Sequence, residues 1–459
     1  MLSMSVAEIA NKGIAIITFI YLTRILSPEG FGILGFAQSF TTYFYLIVNL
    51  GFDTVGIRAV SQNKNNLLKY VNAIITIRTI LSVISFALLI GVTLLLNKPY
   101  EVKFALIMMG VGMFGNTIIL NWAYQGLEKM EIIAVRQVLL SLLNMLGIII
   151  FVQKPEHFII AASVMSASNI LNSAWVLVLF AKQFGKFHFY YNYEFFRNLL
   201  KSSFTIGMLY FIVIINNHLS TLILGLFRTN VETGYYTSAF KIMSFMVLPS
   251  TVLQNVFFPN ITRALDFDER KSICNKYTIL TILSGALLAA LTYVNADFLI
   301  SVSGRNYAPA APVLRMLSFN IMLTYLSVAF SVPLIAWNKE KWVVKSLAIA
   351  CIFGLTANLI LIPRLGIYGS ATATLLSESI TFLGCAFGFY KSMRITYFTN
   401  FIKGISIACA SGFLSYFLTS LGLYPAISII IAIGIFSGTV LITKMITIEQ
   451  LKRILKRES

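Results

Sequence analysis

Five basic residues lie within or at the ends of long apolar runs, where a charge is costly to place. An ionisable side chain inside a membrane is by default a candidate functional group. Arginine is well suited to phosphate, because its planar fork donates two hydrogen bonds at once. The sequence therefore predicts a set of anion-binding cations, which comprises Arg24, Arg58, Arg78, Lys241 and Arg315.

Three further residues are candidates for coupling to an ion gradient. Glu378 is predicted to share one helix face with hydroxyl residues at helical spacing, namely Ser370, Thr374 and Thr381. His218 lies mid-way along another apolar run. Burial can shift the pKa of either group towards neutral, so that it carries a proton; either could equally be a hydrogen-bonded packing residue. Asp53 is expected to pair with a nearby cation, or else to take part in coupling.

The composition shows what must position these residues. The chain has 459 residues, of which 58% are hydrophobic and only 11% charged, whereas soluble domains carry about 25% charged residues. We therefore predict an all-α polytopic membrane protein. The four cysteines and three histidines match no metal-ligand spacing, and no catalytic constellation stands out. Neither a metal site nor an enzyme is predicted.

The apolar runs give the number of membrane spans. A spanning helix needs about 20 mostly apolar residues, and we predict fourteen such helices. Their approximate ranges are 5–26, 33–56, 71–96, 104–125, 132–152, 157–181, 203–227, 234–261, 273–295, 308–336, 343–362, 366–390, 401–420 and 424–443. The first run lacks a basic leading segment, so we expect a retained helix and not a cleaved signal.

Lysine and arginine counts set the expected orientation. With the N-terminus inside, the inside connections and the C-terminal tail carry 24 of these residues and the outside connections carry 7. Positive charge accumulates on the cytoplasmic side, so both termini are predicted to be cytoplasmic. This distribution explains most of the net charge of +18, and recurring short basic loops do not form the single basic face that nucleic-acid binding requires.

A weak internal repeat divides the predicted helices into two lobes. Gly32 and Gly234 open the second and eighth helices at an offset of 202 residues, as do Ala37 and Ala239. An even spacing of six helices predicts parallel repeats related by a pseudo-two-fold axis along the membrane normal. The predicted parts are an N-lobe at 1–181, an interfacial cytoplasmic linker at 182–202, a C-lobe at 203–395, two extra helices within 396–443 and a basic cytoplasmic tail at 444–459.

Four short motifs follow one another along the chain. One occupies residues 121–130, at the end of the fourth predicted helix, and begins Asn121-Trp122-Ala123-Tyr124-Gln125-Gly126. The other three occupy residues 24–32, 303–317 and 363–371. Together they reach from residue 24 to about 380. This ordered set resembles the motifs of O-antigen and exopolysaccharide flippases, within the multidrug/oligosaccharidyl-lipid/polysaccharide exporter superfamily.

The resemblance implies a function and a cargo. It implies that the chain flips undecaprenyl-diphosphate-linked oligosaccharide units across the cytoplasmic membrane, by alternating access, for O-antigen (lipopolysaccharide), capsule or exopolysaccharide assembly. Polysaccharide polymerase and chain-length machinery are implied as candidate partners, besides membrane lipid. In the related lipid II flippases, arginines on helices one, two and eight line the cavity. Arg24 and Arg58 match the first two by helix, and Lys241 replaces the third without its bidentate fork.

Two other functions are compatible with an apolar chain of this kind. A cation-coupled multidrug exporter of the same superfamily would favour acidic and aromatic cavity residues, whereas the intramembrane charges here are mainly cationic. A membrane polysaccharide polymerase or ligase would need a large outside loop, and every predicted outside loop is short. No cofactor is expected; a proton or sodium gradient is the expected energy source.

Overall fold

A computed structural model of the chain describes residues 2–264, 266–393 and 398–442. Contacts within the chain form two compact units, Met1–Gly234 and Tyr235–Ser459. No strand occurs in the described ranges, so the all-α prediction is confirmed. The predicted basic tail at 444–459 lies outside the described residues.

The first unit contains nine helices and the first turn of a tenth. A short 3₁₀ turn, Lys64–Asn66, precedes the third helix. The helices are α1 Leu2–Asn49, α2 Phe52–Gln62, α3 Leu67–Leu95, α4 Tyr100–Val111, α5 Met113–Thr117, α6 Asn121–Gly126, α7 Met130–Phe151, α8 Phe158–Phe184, α9 Tyr193–Phe227 and α10 Asn230–Arg263.

The second unit holds the rest of α10 and seven further helices. A 3₁₀ segment, Arg305–Ala310, leads into helix α13, most of whose residues are buried. The helices are α11 Phe267–Val294, α12 Ala296–Ser301, α13 Ala311–Ala336, α14 Glu340–Leu365, α15 Ile367–Met393, α16 Phe398–Ser420 and α17 Pro425–Ile442.

The helices confirm a multi-pass membrane protein. Among the described residues, 11 helical stretches are long and apolar enough to cross a membrane, and two shorter apolar helices follow at Ser406–Ser420 and Pro425–Val440. The first stretch, Ala10–Gln62, is 53 residues long and would rise about 80 Å if straight, far more than a bilayer core of about 30 Å. It bends at Ser27, whose φ is 60°, before Pro28, and so supplies the two predicted spans 5–26 and 33–56.

The fourth predicted span, 104–125, is not one continuous helix. It is irregular at Gly112 and again at residues 118–120. Side chains from other helices bind the carbonyl groups near the first irregularity: Tyr45 of α1 donates to the Met109 carbonyl at 2.8 Å. Asn169 of α8 donates to the Gly112 carbonyl at 3.0 Å. Such interruptions are tolerated within a membrane only when the freed backbone groups are satisfied by protein.

Helix α9 packs with the first unit, although the predicted C-lobe begins at 203. A Cβ on Gly51 would lie 2.7 Å from the carbonyl oxygen of Ser203. A Cβ on Gly207 would lie 2.9 Å from the backbone of Leu50. The backbone of α9 therefore rests directly on the junction between α1 and α2. The division into six-helix lobes stays a prediction.

Candidate functional site

Arg78 forms the most deeply buried charged contact of the described chain. It lies on α3 with a side chain only 1% exposed. Its Nη2 atom donates to Asp53 Oδ1 at 2.8 Å and also to Asn49 Oδ1, and its Nη1 atom donates to the Ile119 carbonyl at 3.4 Å. A buried cation needs such a pairing to offset the loss of hydration. The expectation that Asp53 pairs with a nearby cation is confirmed.

This ion pair fixes a break in the chain. Asn49 ends α1 and Asp53 lies in the first turn of α2. Between them, Leu50 has φ 34° and Gly51 has φ 81°, so the helix cannot continue. Because one guanidinium binds both flanks of the break, Arg78 holds the two helices at a set angle. Both terminal nitrogens of Arg78 donate to protein oxygens, while its Nε atom has no partner among the described residues. Because its charge is paired with Asp53, we leave it out of the proposed phosphate-binding set.

Arg24 and Arg58 lie at opposite ends of one membrane span. Both side chains are exposed. Arg24 precedes the bend at Ser27, and Arg58 lies in α2, beyond the break at Gly51. The segment between these two interruptions rises about 30 Å, which matches the hydrocarbon thickness of a bilayer. The structure therefore does not bring these two arginines together, and one diphosphate cannot contact both at once.

In the second unit, Lys241 is half-buried on α10. One turn earlier, Tyr236 Oη lies 2.9 Å from Thr374 Oγ1 of α15, which joins the two helices.

Glu378 faces α13. Its carboxyl group lies beside Ser327 on that helix, and Ser327 Oγ forms no hydrogen bond among the described residues. Of the hydroxyl residues predicted to share its face, Ser370 and Thr381 are buried, and Thr374 is half-buried, as is Glu378 itself. His218 is half-buried within α9, in the first unit, so it lies in a different unit from Glu378.

Arg315 has a partner that the sequence did not suggest. It forms an ion pair with Asp297 of α12, and both side chains are substantially exposed, at 37% and 70%. The contact ties α12 to the first turns of α13. The ion pair gives Arg315 a structural role, and we omit it from the phosphate-binding set.

Arg136 was missed as a buried residue. It was counted with the basic residues of the inside connections, although it lies within the predicted span 132–152. In the structure it lies in α7 and is 6% exposed. Its Nη1 atom donates to Asn172 Oδ1 of α8 at 3.2 Å, and Asn172 Nδ2 donates back to the Arg136 carbonyl at 3.1 Å. The start of α7 at Met130 could have been read from the sequence, but the partner on α8 could not.

The comparisons with known proteins agree with this architecture. The model of the family described as "Polysaccharide biosynthesis protein" matches residues 1–265, more than half of the chain. The chain belongs to this polysaccharide biosynthesis protein family. The resemblance found in the sequence motifs is thereby confirmed.

Relatives within and beyond bacteria share much of the chain. A "Putative O-antigen transporter" of Escherichia coli (strain K12) is 25% identical over 390 residues, which is 82% of this chain and 92% of the relative. The "Probable low-salt glycan biosynthesis flippase Agl15" of Haloferax volcanii is 25% identical over 234 residues, covering 50% of this chain and 49% of that protein.

Solved structures show the same fold at low identity. The lipid II flippase MurJ in an inward closed conformation matches all of both chains with a TM-score of 0.78 and 14% identity. An inward-facing multidrug resistance MATE family transporter of the MOP superfamily covers 84% of this chain and 96% of its own, with a TM-score of 0.63 and 14% identity. The chain therefore shares its fold with these two structures.

Proposed function

We propose that the chain flips lipid-linked oligosaccharide across the cytoplasmic membrane, with undecaprenyl diphosphate as the lipid carrier. The observation that carries the proposal is the nearly end-to-end match with the E. coli protein described as an O-antigen transporter, which covers 92% of that relative. The product would be a repeat unit for O-antigen, capsule or exopolysaccharide. Polymerase and chain-length proteins would then use it on the outer face.

The cargo has a charged diphosphate that must not meet hydrocarbon unpaired. Arg78 and Arg315 form ion pairs with carboxylates. We propose that Arg24, Arg58 and Lys241 bind the diphosphate. Charge-assisted hydrogen bonds from arginine to phosphate are short and strong. Because Arg24 and Arg58 lie at opposite ends of a span, they would bind the diphosphate at different stages of its passage. No covalent step is required, so the protein acts as a transporter and not as an enzyme.

The proposed orientation places both termini in the cytoplasm. It rests on the excess of 24 over 7 basic residues on one side and on the positive-inside rule. Under this orientation Arg58 lies at the cytoplasmic end of its span and Arg24 at the outer end. A diphosphate carried outwards would therefore meet Arg58 first and Arg24 last.

Coupling to an ion gradient is proposed through Glu378. A carboxyl group that faces Ser327 inside a helical unit can bind a proton or sodium ion, and the two states differ in charge. A change of charge within a packed unit alters which arrangement of its helices is most stable. His218 is the second candidate, in the first unit.

The proposal is tested in the native host by deleting the gene that encodes the chain. We expect loss of surface polysaccharide and accumulation of undecaprenyl-diphosphate-linked repeat units on the cytoplasmic leaflet, with both restored by the parent chain. Sensitivity to cationic drugs should not change, because the proposed cargo is anionic. Intact surface polymer without the chain, or increased drug sensitivity alone, would favour the multidrug exporter.

A further inference from the structure

A polar cavity lies within the first unit, apart from the charged residues discussed above. Its volume is about 320 Å³, at the lower end of the range for small-molecule sites. One face of α1 forms a wall, because Gln38, Thr41, Thr42 and Tyr45 recur at helical spacing. Asn144 of α7 and Asn169 of α8 complete the polar lining near the middle of their helices. We call this the amide cavity.

The irregular backbone at Gly112 forms part of the amide cavity, and side chains hold it in place. Tyr45 binds the Met109 carbonyl, and Asn169 binds the Gly112 carbonyl and Asn116 Oδ1, both at 3.0 Å. Interrupted membrane helices commonly border binding sites near the bilayer midplane. The floor of the cavity is therefore preorganised, and Tyr45 and Asn169 are already occupied by structural contacts.

Two amides in the cavity have hydrogen-bonding capacity left over. Within the described ranges, the side chain of Gln38 makes no hydrogen bond to protein, and it is exposed to the open space of the cavity. Asn144 Oδ1 is buried without a hydrogen-bond partner in the same ranges. A buried polar group without a partner is costly, so an arrangement of this kind favours a ligand that supplies donors and acceptors.

The lining also excludes several ligands. Its eleven residues include no Asp, Glu, Lys, Arg or His, so it offers no counter-ion to a diphosphate and no carboxylate to a metal cation. Amides and hydroxyls match neutral groups that both donate and accept hydrogen bonds. The hydroxyl and acetamido groups of a sugar have this chemistry, and a ring can pack on Tyr45.

We propose that the amide cavity binds a neutral sugar residue of the lipid-linked glycan, with Gln38 and Asn144 hydrogen-bonding its hydroxyl or acetamido groups. The inference rests on the proposed flippase function and adds a glycan contact distinct from the phosphate-binding cations. A site that hydrogen-bonds a substrate hydroxyl discriminates strongly against a ligand that lacks it. The cavity would thus select cargo by its sugar, independently of the diphosphate.

The test compares two probes on the purified full-length protein. One probe is bare undecaprenyl diphosphate, and the other is the undecaprenyl-diphosphate-linked repeat unit extracted from host cells that lack the chain. In the double variant Gln38→Leu/Asn144→Leu, affinity for the glycosylated probe should fall about ten-fold or more, as expected for two lost hydrogen bonds. Affinity for bare undecaprenyl diphosphate should stay within two-fold of the parent value.

Two further variants keep the result interpretable. Asn198→Leu changes an exposed asparagine of α9 outside the cavity and should bind both probes as the parent does. Thr42→Val nearly preserves shape, so it should fold normally and still weaken the glycosylated probe selectively. Equal affinity of parent and Gln38→Leu/Asn144→Leu for the glycosylated probe would overturn the inference, as would an equal loss for both probes in correctly folded protein. Failure of the parent itself to transport the glycosylated probe would instead overturn the proposed function.

Discussion

Gly32 and Gly234 pack against each other through a reciprocal contact of their two segments. A Cβ on Gly32 would overlap the carbonyl oxygen of Asn230 and lie 2.6 Å from the Gly234 nitrogen, and a Cβ on Gly234 would overlap the carbonyl oxygen of Pro28. Pro28 and Asn230 are themselves separated by the repeat offset of 202 residues. The segment around Gly32 therefore contacts the segment around Gly234 in the same way as the second segment contacts the first. A local two-fold relationship requires such a reciprocal contact.

The close approach predicts that neither glycine tolerates a side chain. Gly32→Ala or Gly234→Ala should lower the free energy of unfolding by about 1–3 kcal/mol, because a methyl group would displace backbone atoms and not a flexible side-chain end. Thermal unfolding in detergent micelles measures the effect. The matched controls are Gly13→Ala and Gly91→Ala, where nothing lies within 4 Å of the added Cβ. Equal melting temperatures for both pairs of variants would show that the contact is not tight.

The Arg78–Asp53 pair should show strong coupling in a double-mutant cycle. Asp53→Ala leaves the Arg78 guanidinium, whose side chain is 1% exposed, without its carboxylate. We expect the free energy of unfolding to fall by about 1–3 kcal/mol. This is less than for a fully buried pair, because Asp53 is itself 39% exposed. Adding Arg78→Leu should recover part of this loss. The control is the half-buried pair Arg228–Glu232, one turn apart on the chain, which should couple by about 0.5 kcal/mol or less. If the losses of stability caused by the Arg78 and Asp53 substitutions simply add, the ion pair does not hold α1 and α2 at a set angle.

The spans, the bend in α1 and the pairing of Asp53 could be predicted from the sequence, because apolar length, Pro28 and local charge are properties of short segments. The break at Gly112 could not, since it depends on Tyr45 and Asn169 from other helices. The amide cavity escaped prediction for the same reason: its isolated amides and hydroxyls look ordinary until three helices converge. The burial of Arg136 was not predicted, because its partner, Asn172, lies 36 residues away on another helix.

Orientation is tested with single cysteines in a cysteine-free background. Cysteines at Asn97, Lys154 and Leu421, which are all exposed, should react with a membrane-impermeant thiol reagent added to intact cells. A cysteine at Asn65, also exposed, should react only after the membrane is opened. Ser459, outside the described residues, should behave as Asn65 does. Labelling at Asn65 in intact cells would reverse the orientation.

Glu378→Gln separates coupling from packing. The amide keeps the shape of the side chain beside Ser327 but cannot ionise. If Glu378 couples transport to protons, the variant should bind the lipid-linked repeat unit normally and lose transport driven by a pH gradient. If the residue only pairs with a cation such as Lys241, binding or folding should suffer while the response to the gradient remains. Ser379→Ala, on the same helix, is the control. Undiminished gradient-driven transport in Glu378→Gln would exclude the coupling role.

The most direct test of the central claim is transport of the lipid-linked repeat unit in proteoliposomes, read by access of an impermeant lectin to the sugar. The parent chain should transfer the glycan between leaflets. Arg58→Ala or Lys241→Ala should reduce the transport rate about ten- to hundred-fold, as expected for a lost charge-assisted hydrogen bond. Lys241→Arg should retain more activity than Lys241→Ala. The control variant Arg364→Ala, at an exposed position, should transport at the parental rate. Parental transport in the Arg24/Arg58/Lys241 triple alanine variant would contradict the account.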